Sequence, residues 1–112
     1  MRGIIFAKDL DKGNVQLLDI AQRYEMLQID TQIRRLKHGF TLECANGDYW
    51  SVRSANVRAC GARCNIAYVE RSIDLETYRC EIAPCLTSFP YSAIRLWGEG
   101  NLHIDDCPML PF

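Results

Sequence analysis

The residues most suited to chemistry lie around one arginine-rich segment in the middle of the chain. Arg53, Arg58 and Arg63 fall in a stretch without acidic residues, and Tyr49 and Trp50 lie just upstream. Guanidinium groups bind phosphates and carboxylates, while aromatic rings stack on bases or fill protein hot spots. The segment therefore predicts a surface that binds a nucleic acid or a protein. The alternative is a solvated loop whose arginines bond to neighbouring carbonyl groups.

The strand that follows this segment ends in two charged residues. Residues 65–69 form a short apolar run, and Glu70 and Arg71 come directly after it. Ligands bind at the carboxyl ends of strands in open α/β sheets, so both side chains are candidate contacts. The alternative is a solvated strand end with a weak exposed ion pair. The predicted partner-binding set consists of Tyr49, Trp50, Arg53, Arg58, Arg63, Glu70 and Arg71.

Catalytic and metal-binding groupings are weak in this sequence. The two histidines lie far apart, and the six cysteines lack the two-residue spacing of structural zinc sites. Cys60 and Cys64 lie near arginines, which favour a thiolate, but the sequence places no base beside them. We expect six reduced thiols, no metal, no cofactor and no catalytic residue.

Length and composition are typical of one small domain that spans residues 1–112. The formal net charge of −1 argues against a nonspecific polyanion binder. The apolar run after Met1 is too short for a signal or membrane segment, so we expect a cytoplasmic protein without membrane contact. The chain from about residue 102 is apolar and should dock on its own domain or on a partner.

The positions of the apolar residues predict an α/β order of elements. A buried strand at residues 3–7 precedes a helix that is capped by Asp11 or Asn14 and ends near Gln28. A second helix over residues 74–83 is capped by Ser72 or Asp74 and halted by Pro84. Further strands are predicted at residues 33–36, 40–44, 50–52, 65–69 and 93–97. The expected fold is a single mixed, mostly parallel sheet with two main helices and one β-hairpin.

The hairpin has a predicted register. A loop over residues 45–49 would align Cys44 with Trp50 and Leu42 with Val52, which keeps the apolar side chains on one face. A two-residue turn at Asn46 and Gly47 would mix the two faces.

This order of elements resembles the middle of the ATPase core of phage terminase large subunits and related helicase-type motors. The resemblance runs from Ile4 to about Leu86 and includes the turn at residues 46–48 and the loop at residues 54–63. In that family such a loop enters the strand that bears the magnesium-binding acid, a place that Glu70 takes here. Arg71 stands where the family has a glutamate, and a cation cannot act as that base. The chain also has no phosphate-loop motif.

The resemblance and the missing motifs together imply a non-catalytic phage or prophage accessory protein. We expect it to bind a host protein in a bacterial cytoplasm, with anti-defence or anti-CRISPR inhibition as the most concrete role. The alternative is a nucleic-acid-binding accessory factor of phage DNA metabolism, and a degenerate nucleotide hydrolase comes third. Exposed sheet edges also make a homodimer or a hetero-complex an expected state.

Overall fold

Strand β1 (Arg2–Ala7) lies at the centre of the computed structural model, which describes residues 1–36, 39–54, 63–86 and 93–102. The side chains from Ile4 to Ala7 are buried on both faces of the sheet. β1 pairs in parallel with β4 (Tyr49–Ser54) on one side and with β5 (Ile66–Glu70) on the other. The short apolar run therefore forms the doubly buried strand that its composition predicts.

The remaining strands extend this sheet in both directions. They are β2 (Thr31–Leu36), β3 (Gly39–Cys44) and β6 (Ala93–Trp97). The strand order is β2-β3-β4-β1-β5-β6, with β2, β3 and β4 antiparallel and the other neighbours parallel. The predicted α/β fold with a mixed sheet is confirmed. The sequence predicts one hairpin, but the structure has two, because β2 pairs along its length with β3.

The register predicted for the β3–β4 hairpin is wrong by two residues. Leu42 lies opposite Trp50 instead of Val52, and the Cys44 amide donates to the Asp48 carbonyl at 2.9 Å. Gly47 has a φ of +96°, which allows a three-residue turn that is closed by its own amide bond to the Cys44 carbonyl. The shift by two residues preserves which side chains share a face.

Helix α1 (Leu10–Met26) begins one residue after Asp9, which caps it. Asp9 is extended, and its side chain accepts a hydrogen bond from the Asp11 amide at 3.0 Å. The predicted caps Asp11 and Asn14 are therefore wrong. The Asn14 side chain instead accepts a hydrogen bond from the Phe40 amide of β3, which ties the helix to the sheet.

The second helical segment is less regular than predicted. It comprises α2 (Leu75–Thr77), a π-helical stretch (Tyr78–Ile82) and a 3-10 turn (Ala83–Cys85), which we call together the α2 segment. Asp74 caps it as predicted, with its carboxylate accepting from the Thr77 amide. The π-helical stretch already begins before Pro84, and Pro84 lies within the 3-10 turn instead of ending the helical segment. Because Pro84 has no amide hydrogen, α-helical bonding cannot continue through that position.

Each helical element covers only part of one face of the sheet. α1 packs on β1, β3 and β4, where Leu17 and Ile20 meet Leu42 and Trp50 in one core cluster. The α2 segment packs on the opposite face, where Tyr78 joins a second cluster around β1, β5 and β6. Among the described elements, no helix covers the face opposite α1 over β2, β3 and β4.

Candidate functional site: a groove rimmed by arginines

The alternation of side chains along β4 divides the predicted site between two faces. Tyr49, Ser51 and Arg53 point to the face away from α1, whereas Trp50 and Val52 point into the core beneath α1. The parallel register with β1 places Arg2 beside Tyr49. A basic, hydroxyl-bearing surface therefore forms on the face of the sheet opposite α1.

This surface is concave and forms a groove with a volume of about 620 Å³. The buried side chains of Ile4 and Thr41 contribute to its floor, and Leu36 lies toward the outer strands. Arginines from three separate parts of the chain line it, and its described lining contains no acidic residue, histidine or cysteine. These arginines are Arg2, Arg53 and Arg63.

Described carboxylates do not neutralise the positive charge of this groove. In the described parts of the chain, no carboxylate forms an ion pair with Arg2, Arg53 or Arg63. Arg53 and Arg63 are exposed, and the Arg2 guanidinium carbon lies 5.7 Å from the centre of the Tyr49 ring. An entering carboxylate or phosphate would therefore meet arginines that no described carboxylate already neutralises.

Trp50 does not belong to this surface, which corrects its place in the predicted partner-binding set. Its side chain is 3% exposed, and its indole N–H donates to the Tyr24 hydroxyl at 3.0 Å. The Trp50 ring also meets the Tyr68 ring edge to face, with centroids 5.4 Å apart. Neighbouring residues of a strand point to opposite faces, so Tyr49 and Trp50 cannot contribute to one stacking platform.

The hydrogen bond from Trp50 to Tyr24 belongs to a polar network at the start of β4. The Tyr24 hydroxyl donates to an Asp48 carboxylate oxygen at 2.7 Å, and the Asn46 amide donates to the same oxygen at 3.1 Å. Burial raises the pKa of Tyr24 above its ordinary range. Burial alone would also raise the pKa of Asp48, but hydrogen bonds from Tyr24, the amino terminus and Asn46 outweigh it and lower that pKa. The network is therefore a stabilising link between α1 and the hairpin turn.

Glu70 lies at the carboxyl edge of the sheet and is 3% exposed. Its carboxylate accepts a hydrogen bond from the Lys8 amide at 2.9 Å, which joins the ends of β5 and β1. Gly98, with a φ of +73°, lies against it so closely that a β-carbon there would be 3.3 Å from the Glu70 Cγ. The interpretation of Glu70 as a solvated strand end is therefore wrong, because the chain after β6 returns over it.

Arg71 is exposed but already has a partner. Its guanidinium donates to the Gly98 carbonyl at 3.1 Å, and no ion pair joins it to Glu70 in the described structure. The chain leaves β1 through α1 on one face of the sheet and leaves β5 through the α2 segment on the other face. The ends of β1 and β5 therefore flank the topological switch point, where ligands bind in open α/β sheets. Glu70 and Arg71 close this position with contacts inside the protein.

The predicted set is therefore split by the fold. Tyr49, Arg53 and Arg63 meet in the groove, Trp50 lies in the core, and the Glu70–Arg71 pair lies at the carboxyl edge. Arg58 lies outside the described residues, as does the predicted apolar tail beyond residue 102.

Sequence reasoning missed Arg2, whose place in the groove depends on the parallel pairing of β1 with β4. The only available signal was its spacing of two from Ile4, which puts both side chains on one face of the strand.

Most of the described cysteines are buried. Cys44, Cys64 and Cys85 are buried, whereas Cys80 is exposed. Burial, together with the neighbouring Cys85, raises the pKa of Cys64 to about 12, which opposes formation of a nucleophilic thiolate. Within the described ranges, no group of three or more histidine, cysteine, aspartate or glutamate side chains is arranged to hold a metal ion.

Similarity to known proteins does not indicate a function for this chain, so the fold and the groove are the observations that bear on it. No helix in the described part of the chain combines the length and apolar character needed to cross a membrane. The chain has no significant match to a protein-family model, to a curated protein or to a solved structure.

Proposed function

We propose that this protein works without catalysis, by binding a protein partner in the groove rimmed by arginines. The observation that carries the proposal is the meeting of Arg2, Arg53 and Arg63 around a floor that contains Ile4 and Thr41. Arginines beside apolar surface are typical of protein hot spots. The partner segment should therefore carry carboxylates next to apolar side chains.

The arrangement of aromatic side chains favours a protein over a nucleic acid. Single-stranded nucleic acids bind to basic grooves in which successive bases stack on aromatic rings. Tyr49 already lies beside the Arg2 guanidinium, and Trp50 faces the opposite side of the sheet. The formal net charge of −1 also gives little long-range attraction for a polyanion.

The absence of a catalytic role is proposed on the same lining residues. None of the described residues around the groove is an aspartate, glutamate, histidine or cysteine, the side chains most used for acid–base and nucleophilic catalysis. The narrower proposal, a phage or prophage protein that inhibits a host protein, rests on the resemblance of the sequence to motor ATPase cores.

Affinity capture with matched variants tests the groove. The Arg53→Ala/Arg63→Ala protein and the wild type serve as baits in bacterial lysate, and Arg23→Ala is the control. Arg23 is a surface arginine on α1, on the opposite face. We expect a protein that wild type and Arg23→Ala retain and that the double variant loses. A hot-spot arginine contributes about 2 kcal/mol, so each single alanine variant should weaken binding about 30-fold.

Two results would contradict the proposal. Equal capture by the wild type and the double variant would move the interface away from the groove. Tight binding of short DNA or RNA oligonucleotides at physiological salt, with equal losses in Arg53→Ala and Arg63→Ala, would indicate a nucleic-acid-binding protein instead.

A further inference from the structure

Strand β2 lies next to the groove and pairs with no described strand on its outer side. Residues 32–36 are all exposed, and β2 is the terminal strand of the described sheet. Leu36, at its end, also lines the groove. An unpaired edge of this kind is a template on which another extended chain can add a strand.

The register of β2 identifies the backbone groups that face outward. The Ala45 amide donates to the Asp30 carbonyl at 2.8 Å, which makes this pair a hydrogen-bonded one. Hydrogen-bonded and non-bonded pairs alternate along an antiparallel ladder, so Gln32 and Arg34 bond to β3. The backbone N–H and C=O groups of Ile33 and Arg35 therefore point away from β3.

The exposed side chains of β2 have an ordered pattern of charge. Ile33, Arg34, Arg35 and Leu36 form an apolar, basic, basic, apolar sequence, with Ile33 41% and Leu36 54% exposed. Among the described residues, Arg34 forms one ion pair, a long and exposed one with Glu43 at 3.6 Å, which contributes little. Arg34 is therefore available to a stronger partner.

Charge decides which strand this edge accepts. Two copies of β2 paired with each other would bring the arginines of one copy against those of the other, and like charges on facing strands repel. An acidic strand would instead place carboxylates opposite Arg34 and Arg35, and apolar side chains opposite Ile33 and Leu36. The complement is an apolar–acidic–acidic–apolar segment.

We propose that the protein partner binds as an added β-strand on β2, through an extended segment of this apolar–acidic–acidic–apolar pattern. This inference rests on the proposed function, since the added strand extends the sheet beside the groove at Leu36 and places one of its two carboxylates on the groove face, next to Arg34. The side chains on the groove face of the added strand lie next to Arg34 and Leu36.

Amide hydrogen exchange of the isotope-labelled protein tests the added strand residue by residue. The probe is a blocked synthetic peptide with a central Val-Glu-Glu-Val sequence, and the control peptide has lysines in place of the glutamates. The acidic peptide should slow exchange of the Ile33 and Arg35 amides by about tenfold or more. The amides of Gln32 and Arg34, which already donate to β3, should change little.

Two variants separate backbone pairing from side-chain contact. Ile33→Pro removes an outward amide without breaking the ladder to β3, so it should abolish peptide binding, whereas Ile33→Ala should only weaken it. Reversal of both charges, Arg34→Glu/Arg35→Glu, should transfer binding from the acidic peptide to the lysine peptide. The charge reversal keeps the test decisive if Ile33→Pro fails to fold.

Four outcomes would overturn the added strand. They are no binding of the acidic peptide, binding that perturbs Tyr49 and Arg53 without protecting Ile33 and Arg35, protection by an oligonucleotide instead of the peptide, and protection that rises with protein concentration alone. The second outcome leaves the proposed groove function intact. If the Arg53→Ala/Arg63→Ala variant captured the same protein as the wild type, that result would contradict the groove function. It would leave the added strand unaffected.

Discussion

At the scale of single residues, Glu70 shows how burial changes the role of a charged side chain. Its position at the end of a central strand predicts a carboxylate that contacts a ligand. Here that carboxylate accepts a hydrogen bond from the Lys8 amide, and Gly98 lies against the Glu70 side chain. Its described contacts make it a connection between two strand ends, and a partly buried amide that loses its acceptor destabilises the fold.

Glu70→Ala should therefore destabilise the fold, by roughly 1 to 3 kcal/mol, because the Lys8 amide loses its acceptor. Glu70→Gln retains an oxygen acceptor and should cost less. Denaturant unfolding of both variants measures the difference in the free energy of unfolding. Equal stability of the alanine variant and the wild type would show that the contact with Lys8 contributes nothing.

At the scale of elements, the distance between α1 and the sheet depends on Gly13. A β-carbon at this position would lie 2.5 Å from Val52 Cγ1 and 3.0 Å from the Ala7 Cβ. Val52 is 4% exposed and packs in the core cluster beneath α1. A glycine that costs helix stability is retained here because the helix must approach β4 closely.

Gly13→Ala should destabilise the protein by about 1 to 3 kcal/mol, since the overpacking exceeds the gain of about 1 kcal/mol in helix propensity. Thermal or denaturant unfolding measures the change, and Lys12→Ala, an exposed neighbour on α1, is the matched control. The Gly13→Ala/Val52→Ala double variant should recover part of the loss. Strict additivity of the two changes would argue against a direct clash.

At the scale of the whole molecule, one polar network joins elements that are distant in sequence. Tyr24 of α1, Asp48 of the hairpin turn and Trp50 of β4 are connected by hydrogen bonds of 2.7 and 3.0 Å. Because the pKa of Asp48 is lowered in the folded protein, the ionised carboxylate is favoured by folding. Its stabilising contribution is present above its ordinary pKa of about 3.9 and is lost as the pH falls through the lower folded value.

The free energy of unfolding should thus fall on acidification below about pH 4, and Asp48→Asn should flatten that part of the profile. The variant should also lose about 1.5 to 3 kcal/mol at neutral pH, the usual contribution of a hydrogen bond to a charged group. Urea unfolding across a series of pH values measures both effects. An acid limb with the same slope in Asp48→Asn would assign the transition to other carboxylates.

The amino-acid sequence by itself determined the local elements and the class of fold. The apolar run of β1 and the helical spacing of Leu17, Ile20 and Ala21 are properties of neighbouring residues, so their structures follow from period and burial. The Asp74 cap is local in the same way. The boundaries at Asp9 and Pro84 were less predictable, because adjacent residues offered competing caps and bonding patterns.

Only the tertiary structure decided which of the candidate side chains act together. Arg2 joins Tyr49 because β1 pairs in parallel with β4, and Glu70 is enclosed because the chain returns after β6. Trp50 enters the core because the pairing of β3 with β4 selects the face that α1 covers. These outcomes depend on contacts between residues far apart in the chain, and no local pattern of charge or hydrophobicity specifies them.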